Sequence, residues 1–118
     1  MMDGKITSGI EFKDILEKGE WQTEGVKPAG GKEIILYHDE ASGTHCRLLR
    51  LEPGFKGGSE PLEHDCEEVV YIISGGLVNT RLGHIYEAGT VAVFPKGVKH
   101  GPLAAPVGAL TLEVRHYK

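Results

Sequence analysis

From Glu33 onward the chain alternates between short apolar runs and turn residues. Glu33 to His38 is one such run, and the polar stretch Asp39-Glu40-Ala41-Ser42-Gly43 then predicts a turn. Thr44 to Glu52 reads as a second strand, stopped by Pro53-Gly54. Glu68 to Ile73 is β-branched and aromatic, ending at Ser74-Gly75-Gly76. Leu77 to Leu82 and His84 to Glu87 flank Gly83 as a hairpin, Val91 to Phe94 is a short apolar strand halted by Pro95, and Ala109 to Tyr117 alternates. Before residue 33 the periodicity fades: Phe12 to Lys18 predicts a helix turn with Phe12, Ile15 and Leu16 on one side, and Gly25 to Gly31 is rich in turn residues. Short strands with almost no helix predict an all-β sandwich or barrel. The expected organisation is a strand and short-helix extension over residues 1–33, packed on a barrel over residues 34–118, within a single domain.

Composition sharpens this picture in three places. The 17 glycines supply the many tight turns that short strands need. A net charge of −4 without a basic run argues against nucleic acid as a partner. No apolar stretch approaches the ~20 residues of a membrane span, and Met1 to Ile6 has no apolar leader core, so the expected location is cytoplasmic. Cys46 and Cys66, the only cysteines, are then expected to be free thiols.

Two fragments carry candidate chemistry: His64-Asp65-Cys66-Glu67-Glu68, opening the apolar run, and Pro95-Lys96-Gly97-Val98-Lys99-His100, a turn that delivers another His. Residues two and four apart on a strand share a face, so His64, Glu68, Val70 and Ile72 are expected to point one way. Two imidazoles and a carboxylate on β structure suit Fe²⁺, Mn²⁺, Ni²⁺ or Zn²⁺.

These fragments resemble the two signature motifs of the cupin superfamily. Gly89, Pro95, Gly97 and His100 satisfy the second motif, although Ala104 stands where the family has Asn. In the first, Glu68 and Gly75 match, His64 matches the second His, and Leu62 replaces the first His. The resemblance implies a double-stranded β-helix, the cupin jelly-roll barrel, holding one divalent metal on His64, Glu68 and His100. A fourth ligand from Glu60, Glu63 or Cys66 completes the shell in this reading, or water does. It also implies a homodimer that acts on a small polar metabolite by dioxygenase, isomerase, decarboxylase or lyase chemistry. The alternative is a non-catalytic metal- or small-ligand-binding module, a sensor or regulatory domain. Leu48 to Phe55 is similar to small stand-alone cupins of the anti-sigma-factor type, which bind zinc. His45, Arg47, Arg50, Arg81, Arg115 and His116 lie on expected strands, where a solvent-facing side is the default and a grip on an anionic substrate the alternative.

Overall fold

The structure, a computed structural model, describes Gly9, residues 11–58, the backbone of Leu62, Glu63 and residues 65–117. Among the described residues, one helix, α1 (Phe12–Lys18), precedes ten strands: β1 (Lys32–His38), β2 (His45–Leu51), β3 (Phe55–Lys56), β4 (Leu62–Glu63), β5 (Glu67–Asn79), β6 (His84–Glu87), β7 (Val91–Phe94), β8 (Lys99–His100), β9 (Leu103–Ala105) and β10 (Ala109–His116). No helix among the described residues is long and apolar enough to cross a membrane.

The fold is the expected all-β one, and its spine is β5. Its first half pairs with β10 on one side and β7 on the other, while its second half pairs with β6 and β9. β5 therefore belongs to both sheets of the jelly roll and bends between them. The bend has two identifiable causes. Ladder pairing to β10 slips between Leu110 and Thr111, a bulge that leaves Ile73 unmatched, and Gly75 follows with φ +73. A Cβ at Gly75 would collide with the Gly108 carbonyl oxygen on the neighbouring turn. Gly75→Ala therefore meets both a left-handed backbone and a backbone clash, and a loss of roughly 2 kcal/mol is expected in urea denaturation.

This continuity corrects the sequence reading, which ended one strand at Ser74-Gly75-Gly76 and began another at Leu77. Glycine weakens a strand on average, but here it permits the bend that keeps one strand running. The helix, the hairpin around Gly83 (φ +70) and the stops at Pro53 and Pro95 stand where expected. Four two- or three-residue strands, β3, β4, β8 and β9, were absent from that reading, because so few residues carry no periodicity.

Side chains alternate cleanly about the main sheet, which runs β1-β2-β10-β5. Inside the barrel, Leu49, Leu51, Val70, Ile72, Leu77, Phe94 and Ala105 form the larger core cluster. Outside it, Ile15 of α1 packs on Ile34 and Leu48, with Trp21, Leu36, Ile73 and Leu112 around them. Leu48 is thus buried on the outer face by the chain's own helix. Phe12 and Leu16, expected on the same side as Ile15, are 41% and 37% exposed.

Candidate functional site

The inner face of the barrel encloses a cavity of about 480 Å³. Its apolar wall comes from Leu49, Leu51, Phe55, Leu77 and Leu103. Its polar wall comes from three neighbouring strands, because their inward positions carry charge: Arg47 on β2, Thr111, Glu113 and Arg115 on β10, and Glu68 on β5.

Strand register makes these charges meet. Arg47 lies directly across from Glu113, and Arg115 directly across from Glu68, so each pair can close as a cross-strand ion pair. Arg47 donates to Glu113 Oε1 from Nε at 3.0 Å and from Nη2 at 2.8 Å, and to Glu33 Oε1 from Nη1 at 2.8 Å. Thr111 donates its hydroxyl to Glu113 Oε2 at 3.0 Å. Arg115 Nε donates to Glu68 Oε2 at 2.6 Å. Burial disfavours the charged Arg115 guanidinium, but the carboxylates of Glu68 and Glu113 outweigh it and hold its pKa above the ordinary value.

Glu68 and His100 line this same cavity and are 4% and 7% exposed. Phe94 sits between their strands. Its backbone is opposite Glu68, and its ring stacks on that of His100 with centroids 4.2 Å apart. The Pro95–Val98 turn, closed by Val98 N–H donating to the Pro95 carbonyl with Gly97 at φ +79, reverses the chain so that His100 returns to the cavity. There β8 pairs with β4, placing His100 opposite Leu62. Val70 and Ile72 face inward with Glu68, as strand parity requires.

Of the other sequence candidates, His64 and Glu60 lie outside the described residues. Glu63 lines the cavity with an exposed side chain. Cys66 is 1% exposed and lies close to the Tyr117 hydroxyl. Burial, then that thiol, push the Tyr117 pKa up, and burial does the same for Cys46. Both cysteines are free thiols. Arg50, Arg81 and His116 are exposed, and His45 turns its ring to the Gly43 carbonyl at 2.9 Å.

Two defaults are overturned. Arg47 and Arg115 face the interior, because each finds an acidic residue opposite it on the adjacent strand. Both line the cavity, with Arg47 held by two carboxylates and Arg115 by one. Thr111 and Glu113 were missed altogether. The available signal was parity, since Thr111, Glu113 and Arg115 are alternate residues of one strand.

A buried imidazole and a buried carboxylate facing one cavity are a chemically suitable pair of donors for a divalent ion. Among the described residues, no three of His, Cys, Asp or Glu come together as a metal-holding group, so any third donor would come from outside them, where both His64 and Glu60 lie.

No protein-family model matches the chain, and no curated protein matches it significantly by sequence. Solved structures match its fold. An RmlC-like cupin protein from Ralstonia eutropha superposes with a TM-score of 0.69 at 15% identity, covering 83% of this chain and 63% of its own. An RmlC-like cupin from Shewanella frigidimarina gives 0.63 at 20% identity, covering 86% of both chains. The structure of Rhodobacter sphaeroides SigE in complex with the anti-sigma ChrR gives 0.64 at 19% identity, covering 86% of this chain. The chain spans only 51% of that matched protein and 63% of the Ralstonia one.

Proposed function

We propose that this cupin-fold domain binds a small polar metabolite in its barrel and acts on it with one divalent metal held by His64, Glu68 and His100. The observation that carries the reading is that Glu68 and His100, buried and on different strands, line the same cavity. The lining also supports a ligand class. Lys27, Arg47 and Arg115 are balanced by Glu63, Glu68 and Glu113, so the cavity has no strong preference for a highly charged ligand. It offers acceptors and donors on one wall and apolar surface on the other, a combination suited to a compact hydroxy- or carbonyl-bearing compound. A bound divalent ion would supply Lewis acidity toward such a carbonyl or hydroxyl group. Arg115 orients the Glu68 carboxylate, Phe94 fixes the plane of the His100 ring, and the leucine wall keeps water from the back of the cavity. Isomerase, decarboxylase, lyase and dioxygenase reactions are all compatible with this set. The proposed setting is the cytoplasm, where Cys46 and Cys66 stay reduced, and the proposed state is a homodimer.

A second reading, a non-catalytic small-ligand module, is favoured by one contact. Arg115 already neutralises Glu68, so the barrel is electrostatically satisfied there without a metal. Metal analysis of untagged protein separates the two. The catalytic reading expects about one Fe, Mn, Ni or Zn per chain in the wild type, with loss of that metal in His100→Ala and in His64→Ala. Wild-type protein that neither contains nor takes up any of the four ions would hand the lead to the binding module.

A further inference from the structure

The cavity is not walled by the barrel strands alone. Lys27, Pro28 and Ala29, from the stretch that precedes β1, line it as well. Val26 anchors this stretch: it is 6% exposed and belongs to the inner core cluster with Leu49, Leu51 and Leu77. A tight turn follows, closed by the Gly31 N–H donating to the Pro28 carbonyl at 3.0 Å. Glycine suits the end of that turn, since a Cβ at Gly31 would lie 3.0 Å from the Leu49 side chain and 3.1 Å from the Pro28 oxygen. The core therefore holds both ends of a short strap, and the strap sets an exposed lysine at the cavity. Lys27 differs from the other two cations of the lining. Arg47 is held by Glu33 and Glu113, and Arg115 by Glu68. Among the described residues Lys27 is in no ion pair, not even with Glu63 of the same cavity.

We infer that Lys27 is the anion receptor of this cavity, and that the metabolite it admits is a compact monocarboxylate, a hydroxy or oxo acid. The inference deepens the metal-assisted small-metabolite reading above and rests on it. Charge balance points to the class. Among the described residues, Lys27, Arg47 and Arg115 are set against Glu63, Glu68, Glu113 and the Glu33 partner of Arg47, which leaves one negative charge in excess. A divalent ion on Glu68 and His100 turns this into one positive charge in excess, and a single ligand carboxylate neutralises it. A neutral ligand would leave the excess in place, and a dianion would overshoot it. Exposure points to the orientation. A carboxylate on Lys27 stays where water still reaches it, so its transfer costs little desolvation. The hydroxyl or oxo group is then left for the buried Glu68 and His100 side, and the carbon skeleton for the leucine wall. A lysine fits this task, because its ammonium on a flexible stem can follow a carboxylate without demanding a fixed two-point geometry.

Saturation-transfer NMR of the full chain, with and without Zn²⁺, tests this using lactate, glycerate and 3-hydroxybutyrate, each beside its primary amide. The Zn²⁺-loaded wild type should bind at least one of the acids about tenfold more tightly than its amide, as a hydrogen bond to a charged group allows. Lys27→Met should remove that preference by weakening the acid alone, and Lys27→Arg should keep most of it. Lys56→Met, which removes an exposed lysine outside the cavity, should behave as the wild type. Because Lys27 is exposed, Lys27→Met should match the wild type in circular dichroism and melting temperature. Acids that bind no better than their amides, or a preference that survives Lys27→Met or falls equally in Lys56→Met, would overturn the receptor and leave a cavity for neutral metabolites. Failure of every acid and amide to bind would overturn the ligand class itself. Zn²⁺ uptake, measured on the same samples, reads the metal site separately from the acid-to-amide ratio.

Discussion

Arg47→Ala is expected to lower stability by about 3–5 kcal/mol, because it takes from the buried Glu113 carboxylate the one cation hydrogen-bonded to it. The Arg47 side chain is 3% exposed and its partner Glu113 6%. Three of its N–H groups are used, two on Glu113 and one on Glu33. Glu33, at 15%, can recover some hydration, whereas Glu113 would keep only Thr111 as a named donor. A loss of this size is a large fraction of the ~5–15 kcal/mol that holds a typical domain together, so urea denaturation should show a midpoint shifted far to the left or a chain already unfolded. The informative control is the double replacement Arg47→Met with Glu113→Leu. Removing both charges together spares the uncompensated anion, and the double variant should be within about 1 kcal/mol of the wild type. If the double variant is as unstable as the single one, packing of the Arg47 stem is what matters there, and the ion pair contributes little.

Arg115→Gln is expected to act on metal binding and stability in opposite directions. The guanidinium and a divalent ion would compete for the same Glu68 oxygen atoms, so its removal should tighten Mn²⁺ or Zn²⁺ binding by about tenfold in calorimetry. That corresponds to ~1.4 kcal/mol, at the low end of a hydrogen bond to a charged group. Without metal the same variant leaves Glu68, 5% exposed, without this partner and should melt lower. Added metal should restore the melting temperature, since binding to the native state alone stabilises it by linkage. A melting temperature that falls and does not recover with Fe²⁺, Mn²⁺, Ni²⁺ or Zn²⁺ would make Arg115 a structural counter-ion and remove support from the metal reading.

How much of this was legible in the sequence depended on the kind of signal. The helix at Phe12–Lys18 and the strands β1, β2, β7 and β10 lie within a residue or two of their expected bounds, because each has enough alternation or a clear proline or glycine stop. The turn that returns His100 was legible from Pro95 and Gly97, whose backbone preferences are local. Burial of Glu68 followed from its parity with Val70 and Ile72. The direction of Arg47 and Arg115 did not, because an arginine on a strand faces solvent unless a carboxylate lies opposite, and register between β2, β10 and β5 is a long-range property. Glu113 was hidden for the same reason: in the sequence it is a charged residue between Leu112 and Val114, and only the pairing to Arg47 gives it a role. The passage of β5 through Gly75 was misread because a glycine pair signals a turn far more often than a strand that changes sheets.

The position of β10 has a consequence for how the protein comes into being. It lies between β2 and β5 and is hydrogen-bonded to both along nearly its whole length, yet in the order of synthesis it follows them both. As the chain leaves the ribosome, β2 and β5 each wait with one unpaired edge until Ala109–His116 appears. The same late strand delivers Thr111, Glu113 and Arg115, so Arg47 emerges with Glu33 as its one acidic partner and Glu68 emerges without Arg115. Closure of the sheet, burial of the charges and assembly of the cavity wall are thus a single late event. Such non-local closure folds in milliseconds to seconds rather than microseconds, and for that interval the unpaired edges are the part of the nascent chain most open to pairing with a neighbour.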